Sequence, residues 1–527
     1  MANHIITSGA ISLIEIALLH HSNSIAPTNL LQHFLSLAAA QYLLIKLFYV
    51  LIWPIFCSPL RNLPGPKGGL FLLGQILNQM KALPSELEIL WMKEHPDAPF
   101  IRYLSLLNRE VLMVNNAHAH KAVLQTKCYS FVKPPFWERI VGEIAGKGIL
   151  FTEGQEHRRQ RKLLIAPFSF GNIRRLCPFF QQKARETSAI IYKSLEQGDR
   201  FIDVSELLSR TTLDIVGLAA LGYELNSLST SSELATHYSK IFEFVTPLQV
   251  AISFVNQFIP IRSVLPFEAN RSYINANAQV RRILRRHIRQ RRDEYRQGKV
   301  EGEKASRDLL TLMIEESKDA WSEEEMLGYL LNFMSAGHET TAGALTWALY
   351  VLTLHPDIQK RVRDEVQAKL TSLSPTQSEL ENLPYMNNFL SEVLRVYPPA
   401  PNFHRQAAED VEIEGVKIPK GTLVMIAPAA AQFNPLLWGS TADTFNPDRW
   451  DNLPEPAKDP YISLAFSNGP RVCIGKHIAL LEMKVIMAEL ISNFEFENTG
   501  PVKPQKSGPS LRPLNGMRLR VSAVRRD

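Results

Sequence analysis

A ten-residue loop with one cysteine and two glycines constrains this chain more than any other part of its sequence. It spans residues 466–475, Phe-Ser-Asn-Gly-Pro-Arg-Val-Cys-Ile-Gly, and an apolar helical pattern follows directly. Gly469 and Gly475 allow backbone conformations closed to other residues and a close approach to a flat ligand. Cys473 precedes a helix N-terminus, whose partial positive charge favours the thiolate, and Arg471 adds a cation. The loop therefore predicts a metal-binding thiolate against a flat cofactor.

The composition predicts one large domain. The chain has 527 residues, of which 45% are hydrophobic and 21% charged, and no linker or repeat divides it after about residue 60. Its four cysteines, Cys57, Cys128, Cys177 and Cys473, have the spacing of neither a zinc site nor a small disulfide framework, which indicates a reducing compartment. Cys473 is followed by Ile-Gly-Lys-His and lacks the Cys-x-x-Cys-His arrangement of covalent cofactor attachment, so a cofactor at this loop would be held non-covalently.

The net charge is +6, and the densest basic stretch lies at 281–296. Apolar residues recur among its arginines at roughly helical spacing: Val280, Ile283, Leu284, Ile288 and Tyr295. This pattern predicts an amphipathic helix with a solvated basic face. An acidic protein or an anionic membrane is the alternative partner of that face, and nucleic acid is not expected as a partner.

An apolar segment at 34–56 has the length of a transmembrane helix. The alternative is an amphipathic helix in the membrane interface. A cleaved signal peptide fits less well, since the first 45 residues contain no Lys or Arg and the apolar stretch starts late. Because Arg61 and Lys67 follow the segment, residues 1–33 are expected to be lumenal and the C-terminal side cytosolic. Residues 57–70 then form a stiff proline-rich hinge before a catalytic domain at 71–527.

The cysteine loop resembles the heme-binding signature of the cytochromes P-450. Five fixed positions of Phe-x-x-Gly-x-Arg-x-Cys-x-Gly match, and they are Phe466, Gly469, Arg471, Cys473 and Gly475. The resemblance implies heme b, held non-covalently, with Cys473 as the axial ligand of the iron. The alternative for Cys473 is a small buried hydrophobic residue.

A long helix is predicted from Ser322 to about Leu354, opened by a capping box of Ser322 and Glu325. Gly337 is expected to weaken it locally, and the Thr340 hydroxyl to bond back to a carbonyl one turn earlier. The run Ala-Gly-His-Glu-Thr at 336–340 resembles the oxygen-activating motif of the same family. The resemblance implies that Glu339 is the acid and Thr340 the hydroxyl relay in proton delivery. The alternative is that Gly337 serves helix packing and Thr340 is a core residue.

Further motifs of the family follow in order. The pair Glu392 and Arg395, with Arg449 downstream, resembles its Glu-x-x-Arg helix and Phe-x-Pro-x-Arg segment, and implies a buried ion network that supports the cysteine loop. The alternating residues 411–418 around a glycine predict a β-hairpin.

Three arginines match family positions that bind the heme propionates: Arg161, Arg405 and Arg471. His157 departs from the family pattern but can still donate a hydrogen bond to a propionate. His157 stands where the family often has Trp, and its charge would depend on pH. The run His-Arg-Arg-Gln-Arg-Lys at 157–162 is similar to fungal members.

The resemblance covers residues 60–525 and implies a mainly α fold with a minor β part: a large helical domain and a small β-rich N-terminal region behind one transmembrane helix. It further implies an endoplasmic reticulum monooxygenase of secondary metabolism that oxidises an apolar small molecule with O2. No nucleotide loop or flavin domain is visible, so electrons are expected from NADPH through a separate cytochrome reductase, with cytochrome b5 as a second donor. Lys476, His477 and Lys484 would form the docking surface.

Two alternative functions remain at this point. One is a heme-thiolate isomerase or dehydratase that needs no electrons, and the other is a non-catalytic heme or lipid binder in the membrane. Family analogy also suggests substrate-pocket positions, with core packing as the alternative for each aromatic: Phe136, Trp137, Phe333, Ala336, Pro401 and Phe403.

Overall fold

The computed structural model describes residues 7–15, 30–243, 252, 255–256, 261–298, 308–317, 321–370, 372, 374–505 and 510–524. Helices dominate, which confirms the mainly α prediction. The α-helices are α1 (7–15), α2 (Leu30–Leu47), α3 (Ile76–Lys81), α4 (Glu86–Glu94), α5 (Ala117–Lys121), α6 (Pro135–Ala145), α7 (Gly154–Ile165), α8 (Phe170–Glu196), α9 (Val204–Val216), α10 (Glu233–Glu243), α11 (Glu268–Arg296), α12 (Leu309–Ser317), α13 (Glu323–Leu354), α14 (Pro356–Lys369), α15 (Gln377–Glu381), α16 (Pro384–Val396), α17 (Pro428–Gln432), α18 (Pro435–Trp438) and α19 (Lys476–Asn493).

Two small sheets and one hairpin form the β part. The strands are β1 (Phe100–Leu104), β2 (Glu110–Val114), β3 (Phe131–Val132), β4 (Phe201–Asp203), β5 (Phe403–Ala407), β6 (Val411–Ile413), β7 (Val416–Ile418), β8 (Leu423–Ile426), β9 (Phe494–Glu497) and β10 (Arg518–Ala523). The larger sheet has the order β1-β2-β8-β5-β3, with β2 and β8 parallel, and the smaller has the order β4-β10-β9. The larger sheet thus joins N-terminal strands to two strands from the later chain.

The predicted hairpin at 411–418 is confirmed. Strands β6 and β7 pair antiparallel, with Val411 opposite Ile418. The turn residues Glu414 and Gly415 both have positive φ, 51° and 73°. That is the conformation of the two-residue turn whose twist matches paired strands.

The long helix α13 lies in the core. Its N-cap Ser322 accepts a hydrogen bond from the Glu325 backbone N–H at 3.1 Å, and the Glu325 carboxylate accepts one from the Ser322 N–H at 2.8 Å, which confirms the predicted capping box. The helix packs against α9, α11, α6, α16 and α19, and most residues along it are buried. A helix buried on all sides in this way fixes the positions of the residues at its middle.

At the N-terminus, α2 continues as a π-helical segment, Phe48–Cys57. Together they contain one stretch, Leu31–Cys57, that is long and apolar enough to cross a membrane within the described part of the chain. Most of the predicted lumenal segment 1–33 lies outside the described residues; in its described part, α1 places Ser12 and Glu15 in hydrogen bonds with Gln41 of α2.

The proline-rich segment after this stretch docks on the catalytic domain. The Pro64 carbonyl accepts a hydrogen bond from the Arg102 backbone N–H of β1 at 2.8 Å. A Cβ on Gly65 would meet the Arg102 carbonyl oxygen, so glycine is required for this close approach. The segment is therefore seated on β1 along part of its length and is not a free spacer.

The basic helix α11 has the predicted amphipathic character. Val280, Ile283, Leu284 and Ile288 are buried, but Tyr295, expected on the same face, is 40% exposed because it lies near the helix C-terminus. Arg289 and Arg285 bind Glu323 and Glu324 in the first turn of α13. Part of the basic charge is therefore paired within the protein.

Candidate active site

The cysteine loop is closed by its own backbone. The Cys473 N–H donates to the Phe466 carbonyl at 2.9 Å. Gly469 has φ 70°, and a Cβ there would lie 2.1 Å from the Leu124 carbonyl oxygen. Gly475 differs from expectation, since its φ of −84° suits any residue and a Cβ would meet Cys473 Sγ only at 3.9 Å. Of the two motif glycines, only Gly469 is required by the backbone.

The pKa of Cys473 reflects two opposing effects. Burial raises the pKa of Cys473, and the Gly475 backbone N–H and the cations of Arg161 and Lys476 offset only part of this effect. The groups at the helix N-terminus do favour the thiolate, as expected, but burial has the larger effect on the pKa of Cys473. Cys473 nevertheless retains accessible surface, as a side chain facing an internal cavity does.

Arg161 and not Arg471 is the arginine that acts on the cysteine. Arg161 Nη1 donates to the carbonyl oxygen of Val472 at 2.7 Å. Arg471, expected beside Cys473, turns away, where it forms an ion pair with Glu153 and donates to the Thr152 carbonyl at 3.1 Å. Lys476 lies with its Nζ 5.9 Å from the centre of the Phe466 ring.

Arg471 belongs to a buried cluster of cations. Arg405 is 8% exposed, and its Nη1 donates to the His404 carbonyl at 3.0 Å. Burial and the Arg471 charge lower the pKa of Arg405 to about 10. Burial also lowers the pKa of Lys133 to about 7, although Lys133 lies 3.5 Å from Glu153. Within the described chain, Glu153 is the one carboxylate that forms ion pairs with this cluster. The cluster therefore retains a net positive charge.

His157 lies at the edge of the same cluster. Its Nδ1 is 3.2 Å from the Tyr129 hydroxyl, and the side chain is buried. Burial and the surrounding cations, Arg471 foremost, lower the pKa of His157 to about 3. The expected pH-dependent charge is therefore absent near neutral pH, where the imidazole is neutral and acts as a hydrogen-bonding group.

The middle of α13 faces the cysteine side of the core. Ile474, next to Cys473, packs against the cluster that contains Leu330 and Phe333 of α13. Ala336 is exposed although the flanking stretches of the helix are buried, so it lines an internal space. The Thr340 hydroxyl donates to the Ala336 carbonyl at 2.6 Å, the predicted back-bond.

The expected local weakening at Gly337 does not interrupt the helix. The helix runs unbroken from Glu323 to Leu354. A Cβ on Gly337 would lie 3.0 Å from Val216 Cγ2 of α9. Gly337 therefore serves close helix packing, which was the alternative explanation.

Glu339 is held by residues that the sequence did not indicate. It is 7% exposed and forms an ion pair with Arg512, and its Oε2 accepts a hydrogen bond from the Ser510 hydroxyl at 3.3 Å. Arg512 Nε also donates to Ser510 Oγ at 3.2 Å. Both partners come from the C-terminal segment and belong to no spacing motif.

Glu392, Arg395 and Arg449 meet in a buried network. Arg395 binds Glu392 through two nitrogens at 2.8 and 2.9 Å, and Arg449 Nε binds Glu392 Oε1 at 2.9 Å. The Trp450 indole donates to the other Glu392 oxygen at 2.9 Å. Arg395 also donates to the carbonyls of Gln432 and Ala442, so the network joins α16 to the segment before the cysteine loop.

The candidate pocket residues separate into groups. Phe136 and Trp137 stack on each other and contact His404, which the sequence did not single out. Phe333 is 9% exposed and packs on Phe168, as a core residue does.

The other three candidates lie apart from Phe333. Phe403 lies under Arg405, 5.4 Å from ring centre to guanidinium carbon. Ala336 is the accessible position on α13, and Pro401 lines a separate polar cavity. The structure does not bring all six into one pocket wall.

The fold and site define a mainly helical protein that presents an accessible free cysteine, Cys473, near a buried cluster of cations. The Cytochrome P450 family model matches residues 64–518. The chain is 33% identical to Cytochrome P450 monooxygenase sphH of Aspergillus fumigatus over 91% of each chain. It is 31% identical to Cytochrome P450 monooxygenase FUM15 of Gibberella moniliformis over 85% of this chain and 84% of the relative. The chain belongs to the cytochrome P450 family and is a monooxygenase with a heme-thiolate cofactor.

The residues fit that cofactor. A heme carries two propionates, and the cluster of Arg405, Arg471 and Lys133 holds more buried cations than Glu153 neutralises. Arg471 Nε is buried without a hydrogen-bond partner among the described residues. Buried charges are stable when paired, so anionic groups at this cluster would supply the missing partners.

Proposed function

We propose that this protein oxidises an apolar small molecule of fungal secondary metabolism, with heme b bound non-covalently and with electrons from NADPH through a separate cytochrome reductase. The observation that carries the proposal is the packing of Ile474, next to Cys473, against the core cluster that contains Leu330 and Phe333 of α13, the helix that also carries Thr340. Cytochrome b5 is a second candidate donor. The supporting relatives are fungal monooxygenases.

The bound heme would supply O2 activation. The residues of this chain would bind the heme and deliver protons to it. Cys473 would ligate the iron as thiolate, the metal charge compensating the burial that raises its pKa. Arg161, Arg405, Arg471 and neutral His157 would bind the propionates. Phe466 and Gly469 would hold the loop, and the Gly475 backbone N–H would donate a hydrogen bond to the Cys473 sulfur.

Thr340 and Glu339 would move the protons that O2 reduction consumes. The Thr340 hydroxyl is aligned by the Ala336 carbonyl, and Glu339 is the adjacent carboxyl group. A positioned hydroxyl and acid of this kind contribute through general acid catalysis. This assignment separates the monooxygenase from an isomerase or a dehydratase, which takes up no such protons.

A membrane anchor in the endoplasmic reticulum with a cytosolic catalytic domain is part of the proposal. The stretch Leu31–Cys57 supports it by length and composition. The end of this stretch contacts the domain, where Asn108 Nδ2 donates to the Val50 carbonyl at 3.0 Å. Leu70, Phe71 and Leu107 are exposed in the chain around this contact, as expected for a surface that lies on lipid.

The reductase is proposed to dock beside α19. His477 is exposed, whereas Lys476 and Lys484 are half-buried, and burial lowers the pKa of Lys484. The docking charge therefore rests on Lys476 and His477 more than on the predicted Lys484. Reversing Lys476 should lower the reductase-driven rate and spare peroxide-driven turnover, with exposed Arg282→Glu as the matched charge reversal. Equal loss in both assays would reject the docking surface.

Turnover of the reconstituted full-length enzyme tests the function. Extracts of small molecules are supplied with and without NADPH, with and without reductase, and under ¹⁸O2, and products are analysed by mass. The proposal expects product that contains ¹⁸O and requires both NADPH and reductase. Product formed without NADPH would indicate the isomerase or dehydratase, and no product with any extract would favour the heme or lipid binder.

The substrate is proposed to contact Phe136, Trp137, Ala336 and Phe403. Phe136 and Trp137 are stacked and half-buried, and Ala336 has accessible surface at the middle of α13. Aromatic and small apolar side chains suit an apolar ligand. Substitution of Phe136 by Ala should change KM more than it changes the spectrum of the bound heme.

A further inference from the structure

We propose that a polar cavity between α4 and the C-terminal segment is the proton-uptake site of this enzyme, and that the Ser510 hydroxyl passes protons from it to Glu339. The cavity has a volume of about 210 Å³. Its lining residues come from 79–88, 401–402, 505 and 510. The inference rests on the proposed function, since only O2 reduction needs these protons.

Ser510 connects the cavity to the Glu339 carboxylate. It lines the cavity, and its Oγ donates to Glu339 Oε2 at 3.3 Å while accepting from Arg512 Nε at 3.2 Å. A hydroxyl has one donor and two acceptor positions, so one acceptor position is left for a cavity water. Ser510 can therefore give its hydroxyl proton to the Glu339 carboxylate and take a replacement proton from that water, so its own protonation state is unchanged.

Glu339 needs a supply of protons because it is only 7% exposed to solvent. Its ion-pair partner, Arg512, does not give up a proton. Arg512 stays protonated, so it can hold the carboxylate in place but cannot recharge it. Of the side chains that contact Glu339 in the described part of the chain, Ser510 is the one with a transferable proton.

Six of the eleven residues that line the cavity are polar, so the cavity can hold bound water. A volume of about 210 Å³ leaves room for several waters. Gln79, Asn402 and Gln505 supply amide groups for them, and Glu88 supplies a carboxyl group. Glu88 is 6% exposed and forms no ion pair with the described residues. A buried carboxyl group without a cation favours its protonated form.

Three other ionisable side chains near this route do not exchange protons near neutral pH. Near Glu88 lies Tyr103, whose pKa is raised by burial. Near Arg512 lie Tyr238 of α10, whose pKa is raised by burial, and His338 of α13, whose pKa is lowered to about 3. Burial also raises the pKa of Glu88. Glu88 is thus the carboxyl group that lines the cavity, and burial favours its protonated form.

The test compares Ser510→Ala with Ser510→Thr in the full-length reconstituted enzyme. Ser510→Ala should lower NADPH-driven turnover roughly tenfold, less than removal of a direct proton donor because water replaces part of the hydroxyl's role. Its solvent deuterium isotope effect should exceed that of the wild type, and Ser510→Thr should restore both values. Ser391→Ala, a half-buried hydroxyl bonded within α16, is the matched control.

Turnover with hydrogen peroxide should be equal in Ser510→Ala and the wild type, because peroxide brings its own protons. Equal loss in both assays, or an unchanged isotope effect, would overturn the relay. A wild type without NADPH-dependent product would instead refute the proposed function.

An infrared measurement checks Glu88 without turnover. The resting enzyme should show a carboxylic acid C=O band that persists to higher pH than the bands of exposed carboxyl groups, that Glu88→Gln lacks and that a control Glu86→Gln retains. If Glu88→Gln loses no such band, Glu88 is ionised, and the cavity has no proton-holding group.

Discussion

Arg161 of α7 donates a hydrogen bond of 2.7 Å to the carbonyl oxygen of Val472, the residue before Cys473. This bond joins two segments 311 residues apart in the chain. One guanidinium thereby orients the cysteine loop, and its charge also lowers the pKa of Cys473 against the effect of burial. The same residue is thus a loop anchor as well as a proposed propionate ligand.

Cys473→Ala should abolish the strongly red-shifted absorption of the reduced, carbon monoxide-bound heme, because that shift requires a thiolate ligand. The spectrum is measured on the solubilised full-length protein. Cys57→Ala, the same change at an exposed cysteine, should leave it intact. A Cys473→Ala protein with the shifted spectrum would contradict the ligand assignment.

Gly469→Ala should destabilise the protein by at least about 2 kcal/mol, since a side chain is forced into positive φ and against the Leu124 carbonyl. Gly475→Ala should leave folding stability nearly unchanged, because its φ is ordinary and no atom crowds the new Cβ. Denaturant unfolding of the two variants measures the difference. A similar loss of folding stability in both variants would show that backbone conformation and crowding at Gly469 do not cause the destabilisation.

Glu392→Ala should cost about 3–5 kcal/mol, because it strands two buried guanidinium groups. The exposed pair of Lys458 and Glu455 provides the control, and Glu455→Ala should cost less than about 1 kcal/mol. Thermal inactivation and heme retention are the measurements. A Glu392→Ala variant as stable as the control would remove the structural role of the network.

Thr340→Ala should reduce product formed per NADPH roughly 10²-fold, the lower end of what a positioned proton-transfer group contributes. Thr340→Ser keeps the hydroxyl and should retain most of the coupling. Product and NADPH are measured in the same reaction. If Thr340→Ala were fully coupled, Thr340 would be the core residue of the alternative interpretation.

His120→Leu should reduce the acid sensitivity of the fold. Burial lowers the pKa of His120 from 6.5 to about 4, so between these values the unfolded chain binds more protons than the folded one. Stability from neutral His120 is full above pH 6.5 and is lost as pH falls towards 4, by about 2 kcal/mol between pH 7 and 5. His118→Leu, exposed on the same helix, should leave this pH dependence unchanged. Denaturant unfolding of the wild type and of both variants at pH 7 and pH 5 measures the change in stability. An equal pH dependence in His120→Leu and the wild type would contradict the prediction.

Local patterns carried much of what the sequence predicted. The capping box of Ser322, the hairpin at 411–418 and the buried face of α11 from Val280 to Ile288 depend on neighbours within a few residues, and the structure confirms all three. The cysteine loop is likewise a local spacing signal, and the family membership it indicated is confirmed by the comparisons.

Long-range packing decided what the sequence could not predict. Tyr295 was misplaced, Gly475 needs no special conformation, and the Cys473 pKa is raised, because these outcomes depend on helix ends, backbone angles and desolvation. The cation cluster around Glu153 forms where Lys133, Arg405 and Arg471 meet, and these residues come from three separate segments.

The sequence by itself determined the mainly α fold, the family, and the residues proposed as thiolate ligand and proton relay, since each is written in short-range spacing. Only the tertiary structure decided which groups contact them. Glu339 meets Ser510 and Arg512 across 171 or more residues, and Arg161 meets Val472 across 311. Such contacts follow from how helices pack and which charges lose their water, and no local pattern encodes that.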